Sequence, residues 1–311
     1  MIKTKLPIRS AITSGILKRR LPLADRIDFS VSKLRKFIDT CDDLVDLAET
    51  LNDSFSNDST SVDFGSLTAQ ADELKSYLSL RKVDLEKLSC RFRRENLTIA
   101  VVGRARQGKS RLLQSLTGLP AEVIPDGSGS HCTGVKSKIS HSNDGFLARV
   151  HTHCEDSFLE KVIRPYFKNL KIKNAPSTLD EFVAMDFSSA PRGLSKAANK
   201  AMYEHLVAYH GNLNGYRELI ESDNRVIELN DESQVREYVA QDDPAAERVF
   251  FKYLAVEHVE VRCKFPNDDI GNVSLIDLPG LGDTGIGHQE RLLEAIGSDV
   301  DLIAFVRVKS L

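Results

Sequence analysis

Apolar residues recur at intervals of three and four along much of the first hundred positions, which is the spacing of a helix with one apolar face. One such stripe runs from Val31 to Leu51, a polar stretch follows over 52–61, and a second stripe runs from Leu67 to Phe92. Two amphipathic helices joined by a polar loop predict an antiparallel helical hairpin.

The segment before this hairpin has a different character. Residues 1–27 carry seven lysines and arginines against the single acid Asp25. No apolar core of the length found in a signal peptide follows. We therefore expect residues 1–96 to form a basic arm and a helical hairpin; a basic segment lying on a membrane surface is the alternative interpretation of the arm.

A strand pattern begins at Leu97. The run from Leu97 to Val102 is apolar apart from Thr98 and predicts a buried strand. Residues 103–110 follow as GRARQGKS, and an amphipathic run after them predicts a helix. This order of strand, loop and helix is the context of the phosphate-binding pattern G-x-x-x-x-G-K-[ST]. Backbone N–H groups of such a loop surround an anion, and the helix N-terminus adds partial positive charge.

Further positions complete a predicted nucleotide site. Lys109 can reach the β- and γ-phosphates, and Ser110 can bind Mg²⁺. Thr133 follows a turn-rich stretch, where such proteins place a threonine that closes on Mg²⁺ and the γ-phosphate. Asp277 ends an apolar strand and can hold Mg²⁺ through water, and Gly280 can offer its N–H to the γ-phosphate. The predicted nucleotide contacts are Gly103, Arg104, Ala105, Arg106, Gln107, Gly108, Lys109, Ser110, Arg111 and Gly280, and the predicted metal ligands are Ser110, Thr133 and Asp277.

The remaining strands follow from alternating or continuous apolar runs. Residues 135–140 and 145–150 are predicted to form a hairpin, and 256–265 to pair with the strand that ends at Asp277. The whole predicts a mostly parallel α/β sheet with helices on both faces. Both ligand-bearing segments then lie at carboxyl ends of strands, where such sheets bind ligands.

Residues 152–246 separate residues 97–151 from residues 247–311, the two parts of this sheet domain. Helical patterns cover 156–170, 194–208 and 214–220, and we expect Pro165 to kink or end the first helix. Because no catalytic cluster is visible, we expect a structural insertion, with a lid or partner-binding subdomain as the alternative.

Composition narrows the possible functions. A net charge of −3 argues against a dedicated nucleic-acid binder. The sequence has no apolar run long enough to span a bilayer. Five scattered cysteines without a CxxC pair indicate a reducing cytosol, so we expect a cytoplasmic protein, with work at a membrane surface left open. His151, His153 and Cys154 match a metal site weakly, because no second pair of ligands completes it.

The three motifs resemble those of the dynamin-like GTPases. GRARQGKS is similar to the family's first nucleotide motif, PDGSGSHCTG at 125–134 to the second, and DLPGLGDT at 277–284 to the third. Helices ahead of the first strand resemble bacterial dynamin-like proteins. The resemblance implies a P-loop GTPase-type three-layer α/β fold with an N-terminal helical hairpin and a largely helical insertion. It also implies GTP as substrate, Mg²⁺ as cofactor and self-association through G domains, with a partner protein at the helical regions or a membrane surface as further candidates.

Two departures from the family pattern matter. Dynamins often carry Gln-Ser where this chain has Ala105 and Arg106. Arginine at that place is similar to guanylate-binding proteins and atlastins, so the resemblance implies that Arg106 is a catalytic arginine finger once two domains dimerise. Lys109, which holds phosphate, and Thr133, whose backbone positions the attacking water, are the other predicted catalytic residues. A solvated arginine near phosphate is the alternative. The family's guanine-specifying motif is not found before Leu311, so guanine preference rests on resemblance, and we expect these 311 residues alone to bind nucleotide poorly.

Three functions are compared. The first is a Mg²⁺-dependent GTPase that self-associates and couples hydrolysis to membrane remodelling. The second is a GTP-switched regulatory or defence assembly subunit without direct membrane action. The third is an ATPase such as a DNA-linked motor, against which Thr133 and the Asp277–Gly280 string argue.

Overall fold

The computed structural model describes residues 8–55, 65–104, 107–125, 135–188, 197–243, 248–278 and 300–307. The chain divides into two compact units. Residues 12–95 form the hairpin unit, and residues 1–11 with 96–311 form the sheet unit.

Two long helices make up the hairpin unit: α1 spans Ile8–Phe55 and α2 spans Gly65–Phe92. Helix α1 begins well before the predicted start of the helical pattern and continues through Pro22, so the described part of the basic segment is helical. Contacts with the end of α2 hold this segment: the Arg20 guanidinium lies 5.7 Å from the centroid of the Phe92 ring, and Arg93 donates to Asp25 at 2.7 Å. These contacts offset the backbone hydrogen bond that proline cannot make.

The sheet unit contains a seven-stranded mixed sheet. Its strands lie in the order β4-β3-β7-β2-β8-β1-β9, and two short strands pair separately. The bounds are β1 Leu97–Val102, β2 Lys136–His141, β3 Leu147–Thr152, β4 Val226–Leu229, β5 Asp242–Asp243, β6 Arg248–Val249, β7 Val256–Cys263, β8 Val273–Asp277 and β9 Leu302–Phe305.

Two predicted strand pairings are wrong. Strands β2 and β3 are joined by a short turn but do not pair, because β7 lies between them, parallel to β2 and antiparallel to β3. Strand β8 therefore pairs with β2 and β1 rather than with β7. Half of the six pairings in the large sheet are antiparallel, so the sheet is mixed rather than mostly parallel. Alternating burial identifies the face of a strand but not its neighbours.

Helices of the sheet unit are shorter than those of the hairpin unit. Pro165 does not end its helix: the Arg164 N–H donates to the Leu159 carbonyl five residues back, and this π-helical turn carries the chain past the proline. The bounds are α3 Lys109–Thr117, α4 Glu155–Phe158, the π turn Leu159–Ile163, α5 Arg164–Leu170, α6 Leu179–Val183, α7 Ala197–Gly211, α8 Arg217–Glu221 and α9 Val235–Val239, with 3₁₀ turns at Leu213–Gly215, Glu232–Gln234, Lys252–Ala255 and Asp268–Ile270.

The sheet unit has separate hydrophobic cores. Residues of α3 and α9 pack with one face of the sheet, and Ala100 and Ile276 on the other face belong to a smaller cluster. Helices α4 to α8 form a third core rich in phenylalanine and tyrosine. We call residues 153–225 the helical module. It lies between the neighbouring antiparallel strands β3 and β4, in which His151 is paired with Val226. The predicted α/β class, with an N-terminal helical region and a largely helical insertion, is confirmed.

Gly118→Ala should destabilise the sheet unit. Gly118 ends α3 with φ 78°, and a Cβ there would lie 2.8 Å from Pro266 Cβ. The left-handed conformation alone costs an L-residue about 1–2 kcal/mol, and the contact with Pro266 adds to it. We expect thermal unfolding to occur several degrees lower. Gly145→Ala is the matched control, because Gly145 has φ 96° with no atom within 4 Å of the added Cβ. An equal fall in unfolding temperature in both variants would contradict a contribution from the contact with Pro266.

Candidate functional site

The phosphate-binding pattern begins where β1 ends. Gly103 follows this buried strand, and a Cβ at Gly103 would lie 2.5 Å from the Val306 carbonyl oxygen. Val306 N–H in turn donates to the Val102 carbonyl at 2.7 Å. Only glycine lets the backbone approach the segment after β9 this closely.

The second glycine of the pattern turns the chain into α3. Gly108 has φ 83°, in the left-handed region, and its carbonyl accepts the Leu112 N–H at 2.9 Å as the helix starts. Upstream, the Arg104 N–H donates to Gln107 Oε1 at 3.2 Å. The described part of the loop thus turns tightly into the first turn of α3, where N–H groups have no partner within the helix.

Lys109 lies inside this loop rather than in solvent. Its side chain is buried, and Nζ donates to the Arg104 carbonyl at 3.3 Å. A buried ammonium is costly unless charged or polar groups face it. A phosphate anion held by the loop would add negative charge beside Lys109.

Ser110 and Asp277 meet across two neighbouring elements. Parallel pairing of β1 with β8 sets Asp277 beside Val101, at the carboxyl end of both strands. Ser110, in the first turn of α3, donates from Oγ to Asp277 Oδ2 at 3.4 Å. The two side chains are buried, with exposures of 8% and 2%. Ser110 of the first motif and Asp277 of the third, which are 167 residues apart in the sequence, are therefore in contact.

Asp277 carries an unsatisfied buried oxygen. Its Oδ1 has no hydrogen-bond partner among the described residues. Burial raises the pKa of the carboxyl to about 6, while the Lys109 charge and the hydrogen bond from Ser110 oppose the rise. A buried carboxylate with an unused oxygen is unfavourable by itself, and a cation facing this oxygen directly or through water would satisfy it.

These residues fit Mg²⁺. The ion prefers oxygen ligands and keeps several of its waters, and a serine hydroxyl beside a carboxylate offers hard oxygen donors. Nitrogen and sulfur donors are absent from the pair. The described residues contain no group of three or more His, Cys, Asp and Glu arranged to hold a metal.

Some predicted site residues lie outside the described residues: Ala105 and Arg106 in the loop, Thr133 and Gly280. Their roles stay predictions. Among the described ones, Gly103, Arg104, Gln107, Gly108, Lys109 and Ser110 form the loop and helix start, and Arg111 is exposed on α3. Asp277 is brought to Ser110, as the order of motifs predicts.

Two supporting residues were missed by sequence reasoning. Asn267 Nδ2 donates to the carbonyls of Ser115 and Leu116, which anchors the far end of α3. Asp301 Oδ2 accepts the Thr98 N–H at 2.9 Å and ties the start of β9 to β1. An Asn after a proline and an Asp before an apolar run are common in protein sequences. Neither therefore identifies Asn267 or Asp301 as a residue that supports the site.

The weak histidine and cysteine match at 151–154 has a structural explanation. Cys154 Sγ accepts the Ser157 N–H at 3.4 Å as the N-cap of α4, and His153 Nδ1 lies 2.9 Å from Ser157 Oγ. His151 stacks on His258 of β7 with ring centroids 4.1 Å apart. Stacked rings direct their nitrogens side by side rather than toward one ion.

Comparison with known proteins adds the following. A model of the dynamin family matches residues 99–309. No curated protein matches the chain. Two solved chains come from work on an oligomerised bacterial dynamin pair, described as a mechanism for long-range sensing and tethering of membranes. They are 15% and 16% identical over 87% and 86% of this chain, with TM-scores of 0.41 and 0.39. This chain covers 33% of each, so it spans about a third of their length.

Proposed function

The chain belongs to the dynamin family, and from this premise we propose that it binds GTP with Mg²⁺ and hydrolyses it. Dynamin-family proteins are GTPases, and the match covers both the loop at 103–110 and the strand end at Asp277. The observation that carries the proposal is the buried Ser110–Asp277 pair beside a buried Lys109. The charges of Lys109 and Asp277 offset each other only in part, because the pKa of Asp277 stays raised and its Oδ1 has no partner among the described residues, so a bound phosphate and a cation would complete the site.

Each described residue has a role in this proposal. The loop N–H groups and Lys109 bind the β- and γ-phosphates, and Ser110 and Asp277 hold Mg²⁺. When bound, Mg²⁺ neutralises charge on the phosphate oxygens. Thr133 and Gly280 are proposed to close on the metal and the γ-phosphate, as the resemblance to the family motifs implies.

The reaction needs positioning and charge neutralisation rather than a covalent nucleophile. Water attacks the γ-phosphorus, the bond to the β–γ bridging oxygen breaks, and GDP leaves. Lys109 stays protonated and balances charge on the phosphates. Loss of the γ-phosphate removes the contact to Gly280, so hydrolysis is proposed to change the segment that follows Asp277.

Hydrolysis by the purified complete protein tests this proposal. Phosphate release should be measured with GTP and with ATP at equal concentration, each with Mg²⁺ and with EDTA. We expect GTP turnover that EDTA abolishes. A clear preference for ATP would instead favour the third function, an ATPase.

Arg106→Ala tests the proposed arginine finger. If Arg106 stabilises the transferring phosphoryl group only when two copies meet, the variant should lose the rise in specific activity with protein concentration and keep its monomer nucleotide affinity. The loss expected for such a finger is about 10³-fold or more. Arg164→Ala, an exposed arginine paired with Glu160 in the helical module, is the control. A large loss of nucleotide affinity in the monomeric Arg106→Ala variant would indicate instead that Arg106 contacts phosphate without acting as an arginine finger.

The output of hydrolysis is a further proposal. We infer self-association through G domains and membrane remodelling from the family. None of the described helices is long and apolar enough to cross a membrane. Binding of the complete protein to vesicles of anionic lipid, with and without GTP, separates this output from a GTP-switched regulatory or defence subunit, which should bind a protein partner and leave vesicles unchanged.

A further inference from the structure

Two histidines stack where the helical module joins the sheet. His151, near the end of β3, is paired in register with His258 of β7, and the two rings lie almost parallel, with centroids 4.1 Å apart and planes 9° apart. The module begins two residues after His151, where the His153 N–H donates to the Ala255 carbonyl at 2.9 Å. The stacked pair therefore lies beside a hydrogen bond that attaches the module to the start of β7.

This arrangement of the pair suits neutral rings. Nε2 of His151 is buried and has no hydrogen-bond partner among the described residues. A neutral imidazole can leave one ring nitrogen unprotonated, whereas a charged imidazole carries an N–H on both nitrogens. Protonation of His151 would thus bury a charged donor without an acceptor, which is unfavourable. Protonation of His258 as well would set two like charges face to face in the stack.

The surroundings of the pair add positive charge. Lys136 of β2 is in register with His258 on the side away from His151, so two histidines and a lysine form one row across three strands. The described charged and titratable groups around the pair are Lys136 and Lys138 of β2, Arg149 of β3, Glu228 of β4, Glu257 and Glu260 of β7, and His153, Lys161 and Arg225 of the helical module. Five of these are Lys or Arg and three are Glu, so the surplus is positive.

The three carboxylates of this group already have basic neighbours. Glu257 accepts a hydrogen bond from Lys161 at 2.8 Å, and Glu228 accepts one from Arg149 at 2.8 Å. Glu260 is in register with Arg149 in the next row of the same face. An imidazolium formed in the stack would therefore compete with lysine and arginine for these carboxylates.

The direction of the pH effect follows from these surroundings. Burial lowers the pKa of His258 below its ordinary value of 6.5, and the charges of His151 and Lys136 lower it further, while Glu257 and Glu260 oppose the shift. A chain opened at this place therefore takes up the proton at higher pH than the closed one. The stability of this contact is fully present above about pH 6.5 and falls as the pH falls through the histidine range.

We propose that protonation of the His151–His258 pair separates the paired ends of β3 and β7 and loosens the helical module in mild acid. Strands β1 and β8 lie on the other side of β2 and stay paired. Asp277 in β8 titrates with the opposite effect on stability, because its pKa is raised, so the two responses differ in sign and in place. No residue of the candidate functional site takes part, so the proposal does not depend on GTP hydrolysis.

Amide hydrogen exchange of the nucleotide-free protein in EDTA tests the proposal at pH 7 and at pH 5. After correction for the intrinsic exchange rate, protection of residues 147–152 and 256–263 should fall about tenfold or more at pH 5, tenfold being the effect of one pKa unit. Protection in β1 and β8 should not fall. His258→Gln and His151→Gln should each remove most of the fall, because either change leaves a single ring to be charged.

Two further variants make the result specific. His205→Gln removes a histidine of α7 outside the pair and should keep the full response to acid. His258→Phe keeps a ring to stack on His151 but cannot be protonated, so it separates the loss of a charge from the loss of packing and should hold its protection at pH 5. Circular dichroism at pH 7 checks that each variant is folded. No fall in the unchanged protein, an equal fall in His258→Phe, or a fall that extends to β1 and β8 would overturn the proposal.

Discussion

Lys109→Ala should abolish GTP hydrolysis by the complete protein. Lys109 is buried in the loop, with Nζ 3.3 Å from the Arg104 carbonyl oxygen, and it is the cation that we propose contacts the β- and γ-phosphates. Removal of one preorganised donor from such a site costs about 10²–10³-fold in rate, and loss of phosphate binding adds to it. Turnover at saturating GTP and nucleotide affinity should both be measured.

Two controls make this result specific. Lys173→Ala removes an exposed lysine from the helical module and should leave turnover unchanged. Lys109→Met keeps the bulk of the side chain, so that a lost charge is distinguished from a cavity. The unfolding temperature of the Met variant without nucleotide should be measured beside its turnover, to check that the variant is folded under the assay conditions. Turnover retained in both Lys109 variants would remove the loop from the mechanism.

Asp277→Asn should abolish Mg²⁺-dependent nucleotide binding while the nucleotide-free protein keeps or gains stability. The Asp277 pKa in the fold is about 6, above the ordinary value of 3.8. The fold therefore releases this proton at higher pH than the unfolded chain does, and stability falls as pH rises from about 4 through about 6. At pH 7 the ionised Asp277 carboxylate lowers the free energy of unfolding by about 3 kcal/mol, at 1.36 kcal/mol per pKa unit. Asparagine does not ionise, so the Asp277→Asn variant does not lose this stability as the pH rises.

Calorimetry in EDTA between pH 4 and pH 7 measures this effect. The difference in unfolding temperature between Asp277→Asn and the unchanged protein should grow with pH. Asp180→Asn, at an exposed carboxylate, is the control and should show no such trend. A variant less stable than the unchanged protein at pH 7 would mean that the carboxylate supports the fold through Ser110. Retained Mg²⁺-dependent binding would remove Asp277 from the metal site.

The local geometry of the loop could be predicted because the residues that determine it are close together in the sequence. The loop needs glycine at Gly108 for a positive φ and at Gly103 for close approach, and those requirements leave a readable pattern. Asp277 could be predicted to face Ser110 because the carboxyl ends of neighbouring strands share one edge. Long-range supports such as Asn267 could not, because their partners are set by tertiary packing.

The pattern of apolar and polar residues could not predict which strands are neighbours in the sheet or where α1 starts. The turn after β2 predicts a hairpin, yet Ser142 N–H donates to the Cys263 carbonyl at the end of β7, more than a hundred residues later. Alternating apolar residues suit either partner equally. Likewise Pro22 indicates an interruption of the helix. Contacts that the pattern does not reveal, such as Arg20 with Phe92 and Arg93 with Asp25, support α1 on both sides of the proline.

The position of the helical module bears on how this chain can change through evolution. Strands β3 and β4 lie side by side, and the Thr152 N–H donates to the Arg225 carbonyl at 3.0 Å where the module begins and ends. A turn of a few residues suffices to join two such strands. Descendants of one ancestral gene could thus have gained, lengthened or lost this module through an insertion or deletion at a single place. The strands that position Ser110 and Asp277 would keep their order throughout.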